Sequence, residues 1–228
     1  MKYSVLILTQ DEWKFFLKEC IEAALSSFGA DEIVVVDGGS DDPEFIFKEF
    51  NYDKRIKVVS RPFLDPADYT SQRNYGLRFC TGDYILNIDA DEILADDSFK
   101  IKDQVESNPD TDIWNVEGIH FVYHLGLIDN TLPKHIFLGR LFKRGFEYPS
   151  QTMHGCLKGD KTIDGIVIYH LAYAKGIVKY MLNKWKANSR RWEMHDPEEF
   201  REYVQKVVFG EYPVRPFLGK LPRVLKVP

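Results

Sequence analysis

Short runs of apolar residues recur along the first part of the chain, and each ends at a polar or turn-forming residue. The runs are rich in Val and Ile. This pattern is typical of strands that are buried on both faces of a parallel sheet. The predicted strands are Ser4–Thr9, Glu32–Asp37, Ile56–Ser60 and Tyr84–Ile88.

Between these runs the apolar residues follow a helical spacing. Glu12–Phe28 places apolar side chains along one face, and Gly29 follows as a candidate left-handed residue that ends the helix. Pro43–Phe50 begins with proline at the first helical position, and Tyr69–Cys80 is a third predicted helix. The alternation of strands and helices predicts an α/β fold with a mostly parallel, Rossmann-like sheet flanked by helices.

The second half of the chain has a less regular pattern. Asp97–Asn108 predicts a polar helix, and Asp112–Tyr123 alternates like a strand that is buried on one face. Residues 124–160 otherwise predict loops, and residues 196–228, which are rich in proline, predict irregular structure. The remaining predicted elements are strands at Leu138–Lys143 and Ile163–His170 and a long helix at Lys175–Trp192.

Composition favours a globular protein with one main core. The chain has 228 residues, and 44% of them are hydrophobic, which suffices for one sizeable core with a small appendage. Its 3 cysteines are widely spaced, which argues against a disulfide framework and against a zinc knuckle. The N-terminus lacks a signal-peptide pattern and no apolar run has the length of a membrane span, so we expect a cytoplasmic protein.

Charge is distributed unevenly along the chain. The net charge of −5 disfavours dedicated nucleic-acid binding, yet residues 175–228 carry 12 Lys and Arg against 6 Asp and Glu. We expect one domain over 1–174 and a helix with a basic, proline-rich tail over 175–228, packed on or beside it. This tail fits a peripheral helix at the inner face of a membrane, and it also fits an ordinary helix packed on the sheet.

Acidic residues stand at the ends of two predicted strands. Asp37 ends one strand, Asp89 follows another, and Asp91 comes two residues later. Ligands of open α/β sheets bind beyond the carboxyl ends of parallel strands, so these carboxylates should face one crevice. Two carboxylates there suit Mg²⁺ or Mn²⁺ bound together with substrate phosphates. The alternative is that each Asp only starts a turn.

Several segments together resemble a known family, the inverting family 2 glycosyltransferases. The segments are SVLILTQDE (4–12), IVVVDGGSDD (33–42), SQRNYG (71–76) and TGDYILNIDADEIL (81–94). The resemblance implies a GT-A fold with a small acceptor-side extension. A looser similarity to the lipopolysaccharide-core type of this family is carried by RLFKRG (140–145), TMHG (152–155) and IYHLAYAKGIVKYMLNKW (168–185).

The resemblance implies a nucleotide-sugar donor and assigns residues to its nucleotide. Asp37 would hydrogen-bond the base, which is a uracil or guanine ring. Thr9 would line the nucleotide pocket beside it. Arg73 would approach the diphosphate.

The resemblance also implies a divalent cation, Mn²⁺ or Mg²⁺, on the donor diphosphate. Asp91 would bind the cation directly, and Asp89 would contact the cation, through a bound water, or the ribose. Glu92 would orient the sugar or the surroundings of the cation. His170, which ends a predicted strand, would complete the metal site or would instead hydrogen-bond the sheet edge.

The catalytic base is left open by the sequence. Relatives carry Val-His-Glu in the acceptor loop, whereas Met153, His154 and Gly155 stand here, so the Glu is missing. An inverting transfer needs a group that accepts the proton of the acceptor hydroxyl. The candidates are Glu147, His154 and Asp129, and a water or a substrate group is a further possibility.

Three other functions are alternatives to sugar transfer. Phosphatases of the haloacid-dehalogenase type carry Asp-x-Asp on the first strand, not near residue 90. Nucleotidyltransferases need a glycine-rich basic loop after the first strand, which is absent here. A nucleotide-sugar-binding scaffold without activity stays open because of the missing Glu. The sequence therefore predicts an inverting, metal-assisted glycosyltransferase that acts on a hydroxyl of a glycan, a lipid-linked glycan or a protein.

Overall fold

A computed structural model describes residues 1–10, 16–50, 52–62, 69–131, 135–149, 157–174, 206 and 210–225. The chain divides into two compact units. Unit 1 comprises Met1–Gly118, Ile136–Tyr169 and Leu221–Pro228, and unit 2 comprises Ile119–His135 and His170–Lys220. The sequence-based boundary between 1–174 and 175–228 stays a prediction, because most of the second segment lies outside the described residues.

Four parallel strands form the centre of unit 1. They are β1 (Tyr3–Thr9), β2 (Glu32–Asp37), β3 (Ile56–Ser60) and β4 (Tyr84–Asp89), and their spatial order is β4-β1-β2-β3. The register places Thr9 opposite Asp37 and Leu8 opposite Asp89. The predicted α/β fold with a mostly parallel sheet is confirmed, and the acid-bearing ends of β2 and β4 flank the end of β1.

Helices follow the strands as the apolar spacing predicts. They are α1 (Leu17–Ala23), continued by a π-helical turn over Ala24–Phe28, α2 (Pro43–Phe50), α3 (Tyr69–Leu77) and α4 (Lys100–Glu106). Gly29 ends the first of them at φ 71°, the left-handed conformation that glycine adopts without strain. Residues 11–15, at the predicted start of this helix, lie outside the described residues. Within the described part of the chain, no helix is long and apolar enough to cross a membrane.

Two helices are shorter than predicted. Helix α3 ends at Leu77 rather than Cys80, because Phe79 N and Cys80 N donate to carbonyls three residues earlier and tighten the chain into turns. Helix α4 begins at Lys100 rather than Asp97 for the same reason, since turn hydrogen bonds such as Lys100 N to Asp97 O precede it. Both differences concern ends, where helices commonly fray.

The remaining strands include elements that the sequence pattern missed. They are β5 (Glu92–Leu94), β6 (Ile113–Val122), β7 (Leu127–Asp129), β8 (His135–Lys143), β9 (Lys161–Tyr173) and β10 (Val214–Pro216). Strand β8 pairs antiparallel with β4, and β5 pairs with β9. The predictions of loop at β7 and of irregular structure at β10 are wrong. Each strand has only three residues, too few to show a periodicity.

The core of unit 1 lies between the sheet and its helices. Its members share near-complete burial and include Leu6, Leu8, Val34, Val36, Ile85 and Phe142. Gly76 lets α3 approach the sheet closely, because a Cβ there would overlap Leu6 and would lie 2.6 Å from Val36 Cγ2. Arg73 precedes Gly76 by three residues and lies on the same face of α3. Close packing at Gly76 therefore fixes the height of Arg73 over the sheet.

Unit 2 is built around a small antiparallel sheet. Phe121 of β6 pairs with Ile128 of β7, and β10 pairs with the other edge of β7. Val122 and Tyr212 form its buried apolar cluster, against which Tyr123 and Val214 pack. The helix predicted at Lys175–Trp192 lies outside the described residues.

Candidate functional site

Asp37 is fully buried where β2 ends. Its Oδ1 accepts hydrogen bonds from Ser40 Oγ at 2.5 Å and from Ser40 N at 3.1 Å. Gly39, at φ 95°, allows the chain to fold back over the carboxylate. The structure thus shows the turn-starting role of Asp37, and its contact with a nucleotide base stays a prediction.

Thr9 lies opposite Asp37 in the register of β1 and β2. Its side chain is 4% exposed, and among the described residues its Oγ1 has no hydrogen-bond partner. A buried hydroxyl without a partner costs roughly 1–3 kcal/mol. A ligand that hydrogen-bonds the Thr9 hydroxyl at this edge of the sheet would remove that cost. The position of Thr9 in a nucleotide pocket stays a prediction.

Asp89 ends β4, and two guanidinium groups lie beside its carboxylate. Arg73 Nη2 is 3.4 Å from Oδ1, and Arg140 Nη2 is 3.7 Å from Oδ2. The Asp89 side chain is 33% exposed, so it is accessible to a ligand. The structure brings Asp89 together with Arg73 and with Arg140. The predicted contacts of Asp89 and Arg73 with the donor stay predictions.

Glu92 closes the turn that follows Asp89. It is 1% exposed, its Oε2 accepts a 2.8 Å hydrogen bond from Asp89 N, and its Oε1 accepts one of 2.6 Å from Arg140 Nη2. Burial raises the pKa of the Glu92 carboxyl, while the positive charge of Arg140 opposes that rise. Both oxygens bind protein groups, so Glu92 holds the turn. Its predicted role toward the sugar or the cation stays a prediction.

Arg73 is held against aromatic rings. It is 8% exposed, and its guanidinium carbon lies 5.4 Å from the ring centre of Tyr148 and 5.9 Å from that of Tyr69. Its Nε is buried and has no hydrogen-bond partner among the described residues. A guanidinium fixed in this way suits phosphate binding, because little side-chain entropy remains to be lost.

Asp91 is 5% exposed and follows Ala90, whose N–H donates to Leu8 O at 3.0 Å. Within the described ranges, no group of three or more His, Cys, Asp or Glu residues is arranged to hold a metal ion by itself. Mg²⁺ and Mn²⁺ that bridge substrate phosphates need only one or two carboxylates from the protein. Asp89 and Asp91 supply two carboxylates in this turn, and their binding of a cation stays a prediction.

The base candidates lie in different parts of the chain. Glu147 is exposed and belongs to unit 1. Asp129 belongs to unit 2, is 8% exposed, and accepts hydrogen bonds from Thr131 Oγ1 at 2.7 Å and from Tyr212 Oη at 3.1 Å. His154 lies outside the described residues. The base therefore stays a prediction among these three.

His170 lies in unit 2, in a cluster of imidazoles. Its Nδ1 is 2.8 Å from His120 Nδ1, and the ring of His120 lies 3.9 Å from that of His135, centre to centre. His135 Nε2 is 3.1 Å from Asp129 Oδ2. Nitrogens that face each other at this distance share a proton, so one ring donates and the other accepts. The role of His170 at a metal stays a prediction.

Arg140 is the part of this site that sequence reasoning missed. It stands in the segment RLFKRG, which carried the looser resemblance without a residue role. Its importance depends on the antiparallel pairing of β8 with β4, where Leu141 lies opposite Leu86. Residues so far apart in the chain leave no local signal of their pairing.

Comparison with known proteins identifies similar glycosyltransferases. The family model "Glycosyl transferase family 2" matches residues 4–112. A Rickettsia bellii protein named as an uncharacterized glycosyltransferase is 37% identical over 107 residues, which cover 46% of this chain and 32% of that protein. A Haemophilus influenzae protein of the same name is 34% identical over 126 residues, which cover 53% of this chain and 46% of that protein. The matches thus span less than half the length of these relatives.

Solved structures share the fold. S. aureus TarS, residues 1–349, matches with a TM-score of 0.53 and 14% identity, over 92% of this chain and 71% of that one. Its complex with UDP-GlcNAc matches with a TM-score of 0.53 and 15% identity, over the same shares of the two chains. Identity this low supports the fold alone. Residues 4–112 therefore match the family 2 glycosyltransferases, and the fold of the chain is the one that these solved structures share, the GT-A fold.

Proposed function

We propose that this chain transfers a sugar from a nucleoside-diphosphate sugar, UDP- or GDP-linked, to a hydroxyl of a glycan or lipid-linked glycan. The observation that carries the proposal is the arrangement at the carboxyl edge of the sheet. There the turn from Asp89 to Glu92, flanked by Arg73 and Arg140, lies one strand away from Thr9 and two from Asp37.

The order of the strands supports a defined direction for the donor. Asp37 and Thr9 lie at the ends of β2 and β1, and Asp89 lies at the end of β4 on the other side of β1. A donor laid across this edge would place its base near Asp37 and Thr9. Its diphosphate would then lie near Arg73 and Asp89. The complexes of S. aureus TarS with UDP and UDP-GlcNAc support the choice of a uridine donor as the first to test.

Asp89 and Asp91 would hold a divalent cation on the diphosphate. When bound, the cation supplies positive charge that stabilises the departing nucleoside diphosphate. Arg73, whose guanidinium lies near two aromatic rings and whose Nε is unused by the described residues, would hydrogen-bond a phosphate oxygen. Glu92 and Arg140 would keep the Asp89 turn in place.

The reaction is a single displacement with inversion. The acceptor hydroxyl oxygen bonds to the anomeric carbon while the bond from that carbon to the diphosphate oxygen breaks. The hydroxyl proton passes to a base, for which Asp129, Glu147 and His154 remain the candidates. Peripheral membrane contact and a lipid-linked acceptor depend on residues 175–192, which lie outside the described residues.

A donor screen without acceptor tests the proposal. UDP-, GDP-, dTDP- and CMP-sugars are mixed with the protein and Mn²⁺, and both the heat of binding and the release of free nucleotide by slow hydrolysis are measured. We expect release from one uridine or guanosine donor, lost in Asp91→Asn and retained in Asp97→Asn, whose exposed carboxylate pairs with Lys100 at 3.2 Å. Tight donor binding without release would favour the scaffold, and the absence of both binding and release would contradict the proposal.

A further inference from the structure

Arg140 contacts the end of β4 at three points. Its Nη2 donates to Glu92 Oε1 at 2.6 Å and lies 3.7 Å from Asp89 Oδ2, while its Nη1 donates to the carbonyl of Asn87 at 3.4 Å. Only 13% of the Arg140 side chain is exposed. One guanidinium thus joins the backbone of Asn87, the carboxylate of Asp89 that ends the strand, and Glu92, which closes the turn.

The connection to Asp89 passes through Glu92 as well as directly. Glu92 uses one oxygen for Arg140 and the other for the backbone N–H of Asp89. If Arg140 is removed, the buried Glu92 carboxylate loses the guanidinium that it contacts at 2.6 Å, which is strongly destabilising. A shift of Glu92 would then release the hydrogen bond that fixes the Asp89 backbone.

The backbone before Arg140 is shaped to aim its side chain. Gly139 has φ 55°, and its N–H donates to Asn115 Oδ1 at 2.9 Å. A Cβ at Gly139 would collide with the carbonyl oxygen of Leu157, so only glycine fits this close approach. The left-handed residue turns the strand just before Arg140.

An aromatic ring also lies beside the guanidinium. The guanidinium carbon of Arg140 lies 5.0 Å from the ring centre of Phe137. Gly118 makes room for that ring, because a Cβ there would come within 2.5 Å of Phe137 Cε2. The close contacts at Gly118 and Gly139 and the ring of Phe137 thus surround Arg140 with tightly packed groups, as expected for a side chain that must position its neighbours.

We propose that Arg140 is a positioning residue that sets the cation and donor affinity of the Asp89–Asp91 turn through Glu92. The inference rests on the proposed function and deepens it. It differs from a purely structural role, in which Arg140 would contribute to the stability of the fold and leave the affinity of the intact protein unchanged. Residues that orient metal ligands typically change metal affinity by about 10- to 100-fold when they are mutated.

Calorimetry separates the positioning role of Arg140 from a purely structural one. The full chain is titrated with UDP and with GDP, each with and without Mn²⁺. The variants are Arg140→Met, Arg140→Lys, Glu92→Gln and the double variant Arg140→Met/Glu92→Gln. A glutamine amide has only one oxygen that accepts hydrogen bonds. Glu92→Gln therefore loses either the bond from Arg140 or the bond from Asp89 N. Arg144→Met is the matched control, because Arg144 is exposed and binds Thr81 O at 3.1 Å. Phe142→Leu is a stability control on the same strand, with a side chain in the core.

We expect Arg140→Met to weaken the Mn²⁺-linked nucleotide affinity by about 10- to 100-fold, and Arg140→Lys to recover part of the loss. The double variant should lose about as much affinity as Arg140→Met alone, because both substitutions act on the same contact between Arg140 and Glu92. Phe142→Leu should lower Tm without changing affinity, and Arg144→Met should change neither.

Two results would overturn the inference alone. In one, wild type shows Mn²⁺-linked binding and Arg140→Met binds equally well. In the other, affinity falls in Phe142→Leu as it does in Arg140→Met, in proportion to lost stability. If wild type shows no Mn²⁺-linked binding of either nucleotide, the proposed function fails and the inference fails with it.

Discussion

The backbone N–H of Asp89 donates a 2.8 Å hydrogen bond to the carboxylate of Glu92, which is 1% exposed. The two residues close a tight turn at the end of a parallel strand. Asp91, the second acid of the Asp-x-Asp pair, lies on that turn. The geometry of the acids therefore depends on a buried charge, which must itself be paired to remain in place.

Removal of the Glu92 charge should strongly destabilise the fold. Glu92→Leu would leave the Arg140 guanidinium and the Asp89 N–H buried without this partner, and breaking a buried pair costs roughly 3–5 kcal/mol. Urea unfolding followed by circular dichroism measures the loss. Glu44→Gln, in an exposed pair with Lys48 at 3.4 Å, should cost less than about 0.5 kcal/mol. A loss below about 1 kcal/mol for Glu92→Leu would show that the pair does not hold the turn.

Replacement of Thr9 should separate stability from binding. Thr9→Val keeps the shape and removes a buried hydroxyl that no described residue binds, so we expect the unliganded protein to be unchanged or stabilised by about 1 kcal/mol. Nucleotide affinity should fall. Ser4→Ala is the matched control, because Ser4 Oγ donates to Glu32 Oε2 at 2.6 Å and its loss should destabilise. If Thr9→Val destabilises by as much as Ser4→Ala, the hydroxyl already has a protein partner.

Added volume at Gly76 should disturb the site from a distance. Gly76→Ala would press a methyl group against Leu6 and Val36, and overpacking of this kind costs roughly 1–3 kcal/mol. The shift of α3 should also move Arg73 and weaken nucleotide affinity. Arg78→Ala, at an exposed position just beyond this helix, serves as the control and should change unfolding by less than about 0.5 kcal/mol. Unchanged stability in Gly76→Ala would contradict the close packing of α3 on the sheet.

The thiols of Cys20 and Cys80 should be unreactive in the folded protein. Both are buried, and burial raises the pKa of Cys80 to about 12 and that of Cys20 well above its ordinary value. In a Cys156→Ser background, Ellman's reagent at pH 8 should react only as fast as the protein unfolds. Because the folded protein holds the proton more tightly, stability should fall as the pH rises above 9, the ordinary thiol value, toward 12. Rapid reaction of one thiol at pH 8 would contradict this burial.

The sequence predicted the strand ends, which rest on local patterns. Asp37 and Asp89 lie at the ends of β2 and β4, as the apolar runs before them indicate. Arg140 was missed because its meaning arises from the pairing of β8 with β4, between residues more than fifty positions apart. The strand Leu127–Asp129 was missed because three residues show no periodicity and their pairing with β6 and β10 decides their conformation.

The central claim is that Asp91 holds a cation which ties a nucleoside diphosphate to this edge of the sheet. The most direct measurement is the affinity of UDP and of GDP for wild type and for Asp91→Asn, by calorimetry with and without Mn²⁺. The account predicts that one nucleotide binds wild type tightly only with Mn²⁺, and that Asp91→Asn removes the Mn²⁺ dependence. Affinity that is indifferent to both Mn²⁺ and Asp91 would contradict it.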